Sequence, residues 1–302
     1  MAVITSGAHP KALWPGVKAW FGRQYNEHVT EYTDLFDMDT SNMSYEEVVE
    51  LTGFGLAPVK SEGGGVQYDS ETQGYVKRFT NVAYGLGYIC TREELDDGLY
   101  EIVSKRRAKA LAFSFRQTKE NVGANVYNRA FNSSYTGGDG KEMLATDHPT
   151  VGGTQSNELA AAADLSEASL EDLVIQIMGA QNSKGLRINL MPKKLIVPRQ
   201  EWFNANRILK SILQNDTAEN AINALKATNA IPGGIAVNHY LTDSDAWFIR
   251  TNAPEGMKGF DRVKMEFVRD NDFDTDNAKA KGYERYVFGW GDWRGLFGSA
   301  GA

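Results

Sequence analysis

Apolar residues fall at helical spacing along only a few stretches of this chain, and the longest stretch follows Thr91. Thr91 and Glu94 make a capping-box pattern, in which two side chains satisfy orphan backbone N–H groups reciprocally. Leu95, Leu99, Ile102, Val103, Arg106, Ala110 and Phe113 then recur at helical spacing. The spacing predicts one helix from about Glu93 to about Phe131, with Gly123 as the place for a kink. At ~1.5 Å per residue it would exceed about 50 Å, more than the width of a small domain. It is expected to cross the molecule as a spine. A second capping box, Ser44 with Glu47, precedes Val48, Val49 and Leu51 and predicts a short helix that Thr52–Gly55 end.

Between these helices the period changes. Val66-Gln67-Tyr68, Tyr75–Phe79 and Val82–Ile89 are β-branched and aromatic, and Gly63-Gly64-Gly65, Gly85 and Gly87 punctuate them. The pattern predicts a long β-hairpin over residues 56–90. It has little apolar surface for a core of its own, so it is expected to project and lie on a neighbour. Residues 1–43 show no period: Trp14, Trp20, Phe21, Tyr25, Tyr32 and Phe36 are scattered among charges. This segment reads as an irregular arm that packs along something else.

Beyond the loop Asn132–Gly140 and the extended run Thr146–Pro149, helix and strand patterns alternate. Ser166 caps a helix through Leu170, Leu173, Val174, Ile177 and Met178. Lys194–Pro198 reads as a buried strand, and Gln200–Leu213 as a helix. Ala236–Leu241, Ala246–Ile249, Val263–Val268 and Glu284–Trp290 read as strands. The expected class is α+β.

Composition adds limits. The 302 residues include 30 glycines, above the ~7% typical of globular chains. The formal charge of −7 disfavours anionic membranes and nucleic acid as binding targets. The basic run Lys105, Arg106, Arg107 and Lys109 reads as a solvated helix face. Cys90 is the one cysteine, so no intrachain disulfide is possible, which fits a reducing compartment. The first 20 residues lack a signal-peptide pattern, and no run approaches the ~18 apolar residues of a membrane helix. A cytoplasm is the expected place of synthesis.

Candidate chemistry is sparse. His9, His28, His148 and His239 show no HxH or HxxxH spacing. Asp147 beside His148 suggests an acid–base pair, but neighbours on an extended chain point to opposite faces. Asp270, Asp272, Asp274 and Asp276 alternate. A calcium loop from Asp272 requires glycine at its sixth position and glutamate at its twelfth, where Asn277 and Tyr283 stand. A solvated acidic loop is expected. Gly63-Gly64-Gly65 leads into Val66 rather than a helix, and Gly85-Leu86-Gly87 lacks the third glycine of a dinucleotide fingerprint. No catalytic, cofactor-binding or metal site is therefore expected, and the chain reads as a structural subunit that assembles with copies of itself.

Thr118–Asn132 and Ala145–Pro149 resemble the major capsid proteins of tailed bacteriophages. Pro192–Ser211, an apolar strand ending in proline before a helix with Ala-x-x-Ile-Leu-x-Ser, is similar to a second family hallmark. Tyr283–Gly289, followed by Trp290–Phe297, is similar to the family's final strand. The likeness is greatest to Mu-like head subunits of the HK97-type fold. That resemblance implies an α+β, HK97-like capsid fold with an N-terminal arm (1–43), the start of a P-domain (44–54) and an E-loop hairpin (55–90). The P-domain then continues with the spine helix (91–144), an A-domain follows (145–258), and P-domain C-terminal strands close the chain (259–302).

The resemblance further implies hexamers and pentamers of one chain, forming an icosahedral shell in the virion and assembled in the host cytoplasm. The implied partners are copies of itself, a scaffolding protein, a portal, a possible decoration protein and packaged double-stranded DNA held without sequence specificity, with no membrane. Some members cross-link a hairpin lysine to an asparagine. Lys60 and Lys77 lie in the hairpin, but no matching asparagine or acidic catalyst stands out, so no cross-link is expected. With Met1 so close to the arm, a separate scaffold is expected. The alternatives are an encapsulin-like cellular compartment, a tail or baseplate protein, and a hydrolase using His148 and Asp147.

Overall fold

The computed structural model describes residues 14–96, 100–214, 221–272 and 277–302. Helix α1 (Trp14–Glu27) and the single turn α2 (Tyr32–Leu35) lead into strand β1 (Asp37–Thr40). Strands β2 (Tyr45–Leu51) and β3 (Gln73–Thr80) form an antiparallel ribbon joined by residues 52–72. Strand β4 (Val82–Cys90) precedes α3 (Arg92–Asp96) and the 29-residue α4 (Tyr100–Asn128). The small hairpin β5 (His148–Thr150) and β6 (Gly153–Gln155) is followed by α5 (Glu167–Met178), β7 (Pro192–Pro198), α6 (Trp202–Lys210) and α7 (Ala224–Ala227). Strands β8 (Ile235–Asn238), β9 (Trp247–Thr251), β10 (Met257–Asn271), β11 (Ala278–Trp290) and β12 (Leu296–Ser299) complete the fold.

Two four-stranded sheets organise these elements, in the orders β1-β10-β11-β4 and β12-β9-β7-β8. Strand β11 shows why the first sheet forms. Ala278, Ala280, Gly282, Glu284 and Tyr286 turn inward while the residues between them are exposed or half-buried, the period of two that a one-sided sheet requires. Helix α4 lies against this face with Leu111, Ala112 and Phe115 buried. Gly282 is where the approach is closest, because a Cβ there would collide with the Phe115 ring and Met265.

In the second sheet the central strand β7 buries Leu195, Ile196 and Val197 completely, as a strand covered on both faces must. Helix α5 covers it with Leu170, Leu173 and Ile177. Its capping box is formed by Ser166 and Ser169, confirming Ser166 as the cap. One apolar cluster joins the two sheets: Phe36, Tyr127, Tyr286 and Phe288 pack with Ile196 and Phe248.

Five expectations change. The segment before Ser44 is not irregular where described. Phe21 and Tyr25 fall one helical turn apart on α1, and Phe21 stacks on Phe267 at 4.4 Å. Tyr32, Leu35 and Phe36 belong to the core. The helix expected after Ser44 is strand β2. Its residues alternate between exposed and half-buried, and Glu47 pairs with Arg78 across the ribbon at 2.7 Å rather than capping a helix.

The hairpin is built from different strands. β3 pairs with β2, whereas β4 pairs antiparallel with β11 in the first sheet. Asn81 makes the step between them, donating from Nδ2 to Ser41 Oγ (2.9 Å) and the Met43 carbonyl (3.1 Å). The single helix expected from Glu93 to Phe131 is described as α3 and α4, which ends at Asn128 rather than Phe131; residues 97–99, where the two would join, lie outside the described residues. Finally, β12 returns to the second sheet and pairs with β9, so the C-terminal strands divide between the two sheets.

Candidate assembly surfaces

The sequence singled out His148 beside Asp147 as a possible acid–base pair, and the fold separates them. Asp147 faces outward and pairs with Lys141 at 2.5 Å. His148 is fully buried, with Nδ1 2.6 Å from Asp139 Oδ2 and Nε2 3.0 Å from Asn157 Oδ1. Its ring stacks on Trp293 at 4.4 Å and 3°. Asn157 Nδ2 donates to the carbonyls of Met143, Trp293 and Leu296. The cluster ties the loop after α4 to the C-terminal segment. Among the described residues both ring nitrogens meet an amide or carboxylate oxygen, whereas a hydrolytic triad needs one of them on a nucleophile. Sequence reading missed Asp139 and Asn157 because each is nine residues from His148 in a loop without period.

The other histidines are similarly occupied. His239 Nδ1 lies 2.6 Å from Glu31 Oε1, and His28 lies 3.4 Å from Gln24. His9, Asp274 and Asp276 lie outside the described residues. Among the described residues no cluster of three metal-ligating side chains occurs, and no helix is long and apolar enough to cross a membrane. Lys105, Arg106 and Lys109 are exposed on α4, whereas Ala108 and Leu111 are buried. Arg107 reaches Glu94 at 2.8 Å.

What the fold does present is uncovered apolar surface on projecting segments. The tip of the β2–β3 ribbon exposes Leu56, Val66 and Tyr68, and Val59 is 100% exposed. The tip is tied back by Lys184 Nζ, which donates to Asp69 Oδ2 (2.9 Å) and the Ser70 carbonyl (2.8 Å). Three amide and ammonium donors hold the Asp69 carboxyl down to about 2, led by the Gly55 N–H. Further exposed apolar residues lie on α6 and the loop that follows it. Trp202 and Phe203 stack at 5.1 Å and stay exposed, and Ile212 and Ile222 are exposed after α6 and before α7.

Between the ribbon, α4 and β11 lies a cleft of about 570 Å³. Lys77 Nζ donates to the Thr136 carbonyl at 2.7 Å and stands 4.8 Å from the centre of the Trp290 ring. Arg129 lies over Tyr135 at 4.4 Å. Burial pushes the Lys77 ammonium below its ordinary value.

Helix α1 docks over a buried polar cluster. Tyr25 Oη donates to Glu284 Oε2 at 3.2 Å, Arg116 donates to the Tyr25 carbonyl at 2.8 Å, and Lys119 pairs with Asp261 at 2.6 Å. Burial pushes the Glu284 carboxyl up to about 7, partly offset by Lys119.

The model of a protein family described as phage capsid protein matches residues 75–298. No curated protein sequence matches the chain. Among solved structures, the capsid of a native GTA particle superposes with a TM-score of 0.56 at 12% identity, covering 100% of this chain and 93% of that one. Mycobacterium phage Patience gives 0.53 at 10% identity, covering 98% and 88%. A virus-like particle from Pyrococcus furiosus gives 0.52 at 12% identity, covering 94% and 97%.

Proposed function

Because the chain belongs to the phage capsid protein family, we propose that it is the major head subunit and that it closes, as hexamers and pentamers, into an icosahedral shell around double-stranded phage DNA. Its fold is the HK97-type α+β capsid fold, and its role is structural. In this reading the sheet β1-β10-β11-β4 with α4 is the P-domain. The sheet of β7 is the A-domain, facing the symmetry axis of each capsomer, and the β2–β3 ribbon is the E-loop. The uncovered ribbon tip carries the reading, since Leu56, Val59, Val66 and Tyr68 find no cover among the described residues. Each such side chain contributes roughly 1.5–3 kcal/mol when moved from water into a packed contact. Repeated over a closed shell, such contacts hold many copies together.

The HK97-type chain acts with a scaffolding protein and a portal, holds DNA without reading its sequence, and performs no catalysis. The test is negative-stain microscopy of the purified chain with its scaffold. Closed particles of uniform size are expected. Persistent monomers across salt and crowding conditions would overturn the assignment. The likeness to a virus-like particle favours a second reading, a cellular compartment of the same fold. Particles that enclose a specific protein instead of DNA would establish it.

A further inference from the structure

The cleft beside α4 holds two cations and no acid. Lys77 and Arg129 line it together with Asn125, Trp290 and apolar residues such as Val122 and Phe288, and no carboxylate does. Among the described residues neither cation has an ion-pair partner. The acid that most affects Lys77, Asp139, is committed to His148 at 2.6 Å. Carboxylates are not scarce in the chain, which has 39 acidic residues against 32 Lys and Arg. An acid-free cationic cleft with aromatic walls, in an acidic protein, matches an incoming carboxylate flanked by apolar side chains.

The ribbon tip has that chemistry. Gly64 donates its N–H to the Ser61 carbonyl at 3.0 Å, and Gly63 takes a φ of +75°, which glycine adopts at little cost. The turn sets Glu62 at the apex, exposed, with Val59 and Val66 exposed on either side. Among the described residues Glu62 pairs with no cation. The tip lines a separate cavity of its own and contributes nothing to its own chain's cleft.

We propose that the cleft receives the ribbon tip of a second copy, with the Glu62 carboxylate placed between Lys77 and Arg129. The contact is head-to-tail: each copy offers its tip to one neighbour and its cleft to another, and such a contact closes into a ring when the rotation permits. The proposal rests on the shell reading above and names the residues that would set its register. Lys77 supplies a desolvated ammonium, and Arg129 supplies an exposed fork suited to a carboxylate.

Charge reversal tests it. Glu62→Arg and Arg129→Glu are each expected to lower the yield of sedimenting particles at least tenfold, while the soluble subunit keeps its circular dichroism spectrum and melting midpoint. The double variant is expected to recover at least half of the wild-type yield. If wild type assembles and both single variants assemble equally well, the proposal fails and the shell reading stands. If Arg129→Glu alone blocks assembly and Glu62→Arg neither blocks it nor rescues it, the occupant is an acidic segment of a different protein, and the proposal fails. Absence of particles from wild type would overturn both.

Discussion

Glu284→Gln should make the folded subunit more stable at pH 8 and nearly indifferent at pH 5. Glu284 is 1% exposed, its Oε2 accepts from Tyr25, and its other oxygen has no partner among the described residues. Burial raises its carboxyl from an ordinary 4.5 to about 7. Below pH 4.5 the group is protonated in both the folded and the unfolded chain and contributes no pH dependence. From 4.5 to 7 the unfolded chain releases the proton and the folded chain retains it, so stability falls with rising pH. Each unit of separation corresponds to ~1.36 kcal/mol, so the loss above pH 7 is about 3 kcal/mol. Glutamine keeps an acceptor for Tyr25 and removes the ionisation. The assay is urea unfolding of the soluble subunit at pH 5 and pH 8, for wild type and variant. The quantity of interest is the difference between the two pH-dependent changes, in which the titration of all other groups cancels. The expected value is about 3 kcal/mol, with the variant flatter. Equal pH dependence in the two proteins would refute the claim that Glu284 is held as a neutral acid beneath α1.

Other substitutions give separable outcomes. His148→Ala removes the hydrogen bonds to Asp139 and Asn157 and the stack on Trp293 at a fully buried position, and should cost at least about 2 kcal/mol in urea unfolding. Asp147→Ala breaks only the exposed pair with Lys141 and should cost no more than about 1 kcal/mol. Leu173→Ala, at a fully buried position under the second sheet, should lower subunit stability by about 2–5 kcal/mol. Replacing residues 56–67 with a short Gly-Ser linker should leave subunit stability within about 0.5 kcal/mol of wild type and abolish particles in the microscope.

Local signals in the sequence were read correctly where period and capping agreed. Helix α4, the Ser166 cap, the buried strand at Lys194–Pro198 and the stretches Val263–Val268 and Glu284–Trp290 of β10 and β11 follow from spacing, whereas the full lengths of those two strands do not. The helix expected after Ser44 failed because two local signals competed. Ser44 and Glu47 suggested a capping box, whereas β-branched Val48 and Val49 in a period-two burial pattern favoured strand, and pairing with β3 decided the outcome. The partner of β4 was illegible for another reason. β4 pairs with β11, almost 200 residues away, and nothing local distinguishes that pairing from one with β3. The projecting tip was legible, because its glycines and isolated apolar residues cannot make a core. The cleft was not: Lys77, Arg129 and Trp290 meet only once α4 and β11 have packed.

The distribution of apolar surface separates folding from assembly. The cluster of Phe36, Tyr127, Tyr286 and Phe288 with Ile196 and Phe248 joins the two sheets into one unit, so loss of packing there is felt by both. Exposed apolar groups lie outside this cluster, on the ribbon tip and around Trp202 and Phe203 among other places. A subunit built this way can be stable before it meets a neighbour, because its core does not depend on the surfaces that neighbours cover. Core substitutions should therefore move unfolding and assembly together, whereas tip substitutions should move assembly alone. A tip variant that melted early would show that the ribbon is part of the folding unit, contrary to its exposed apolar side chains.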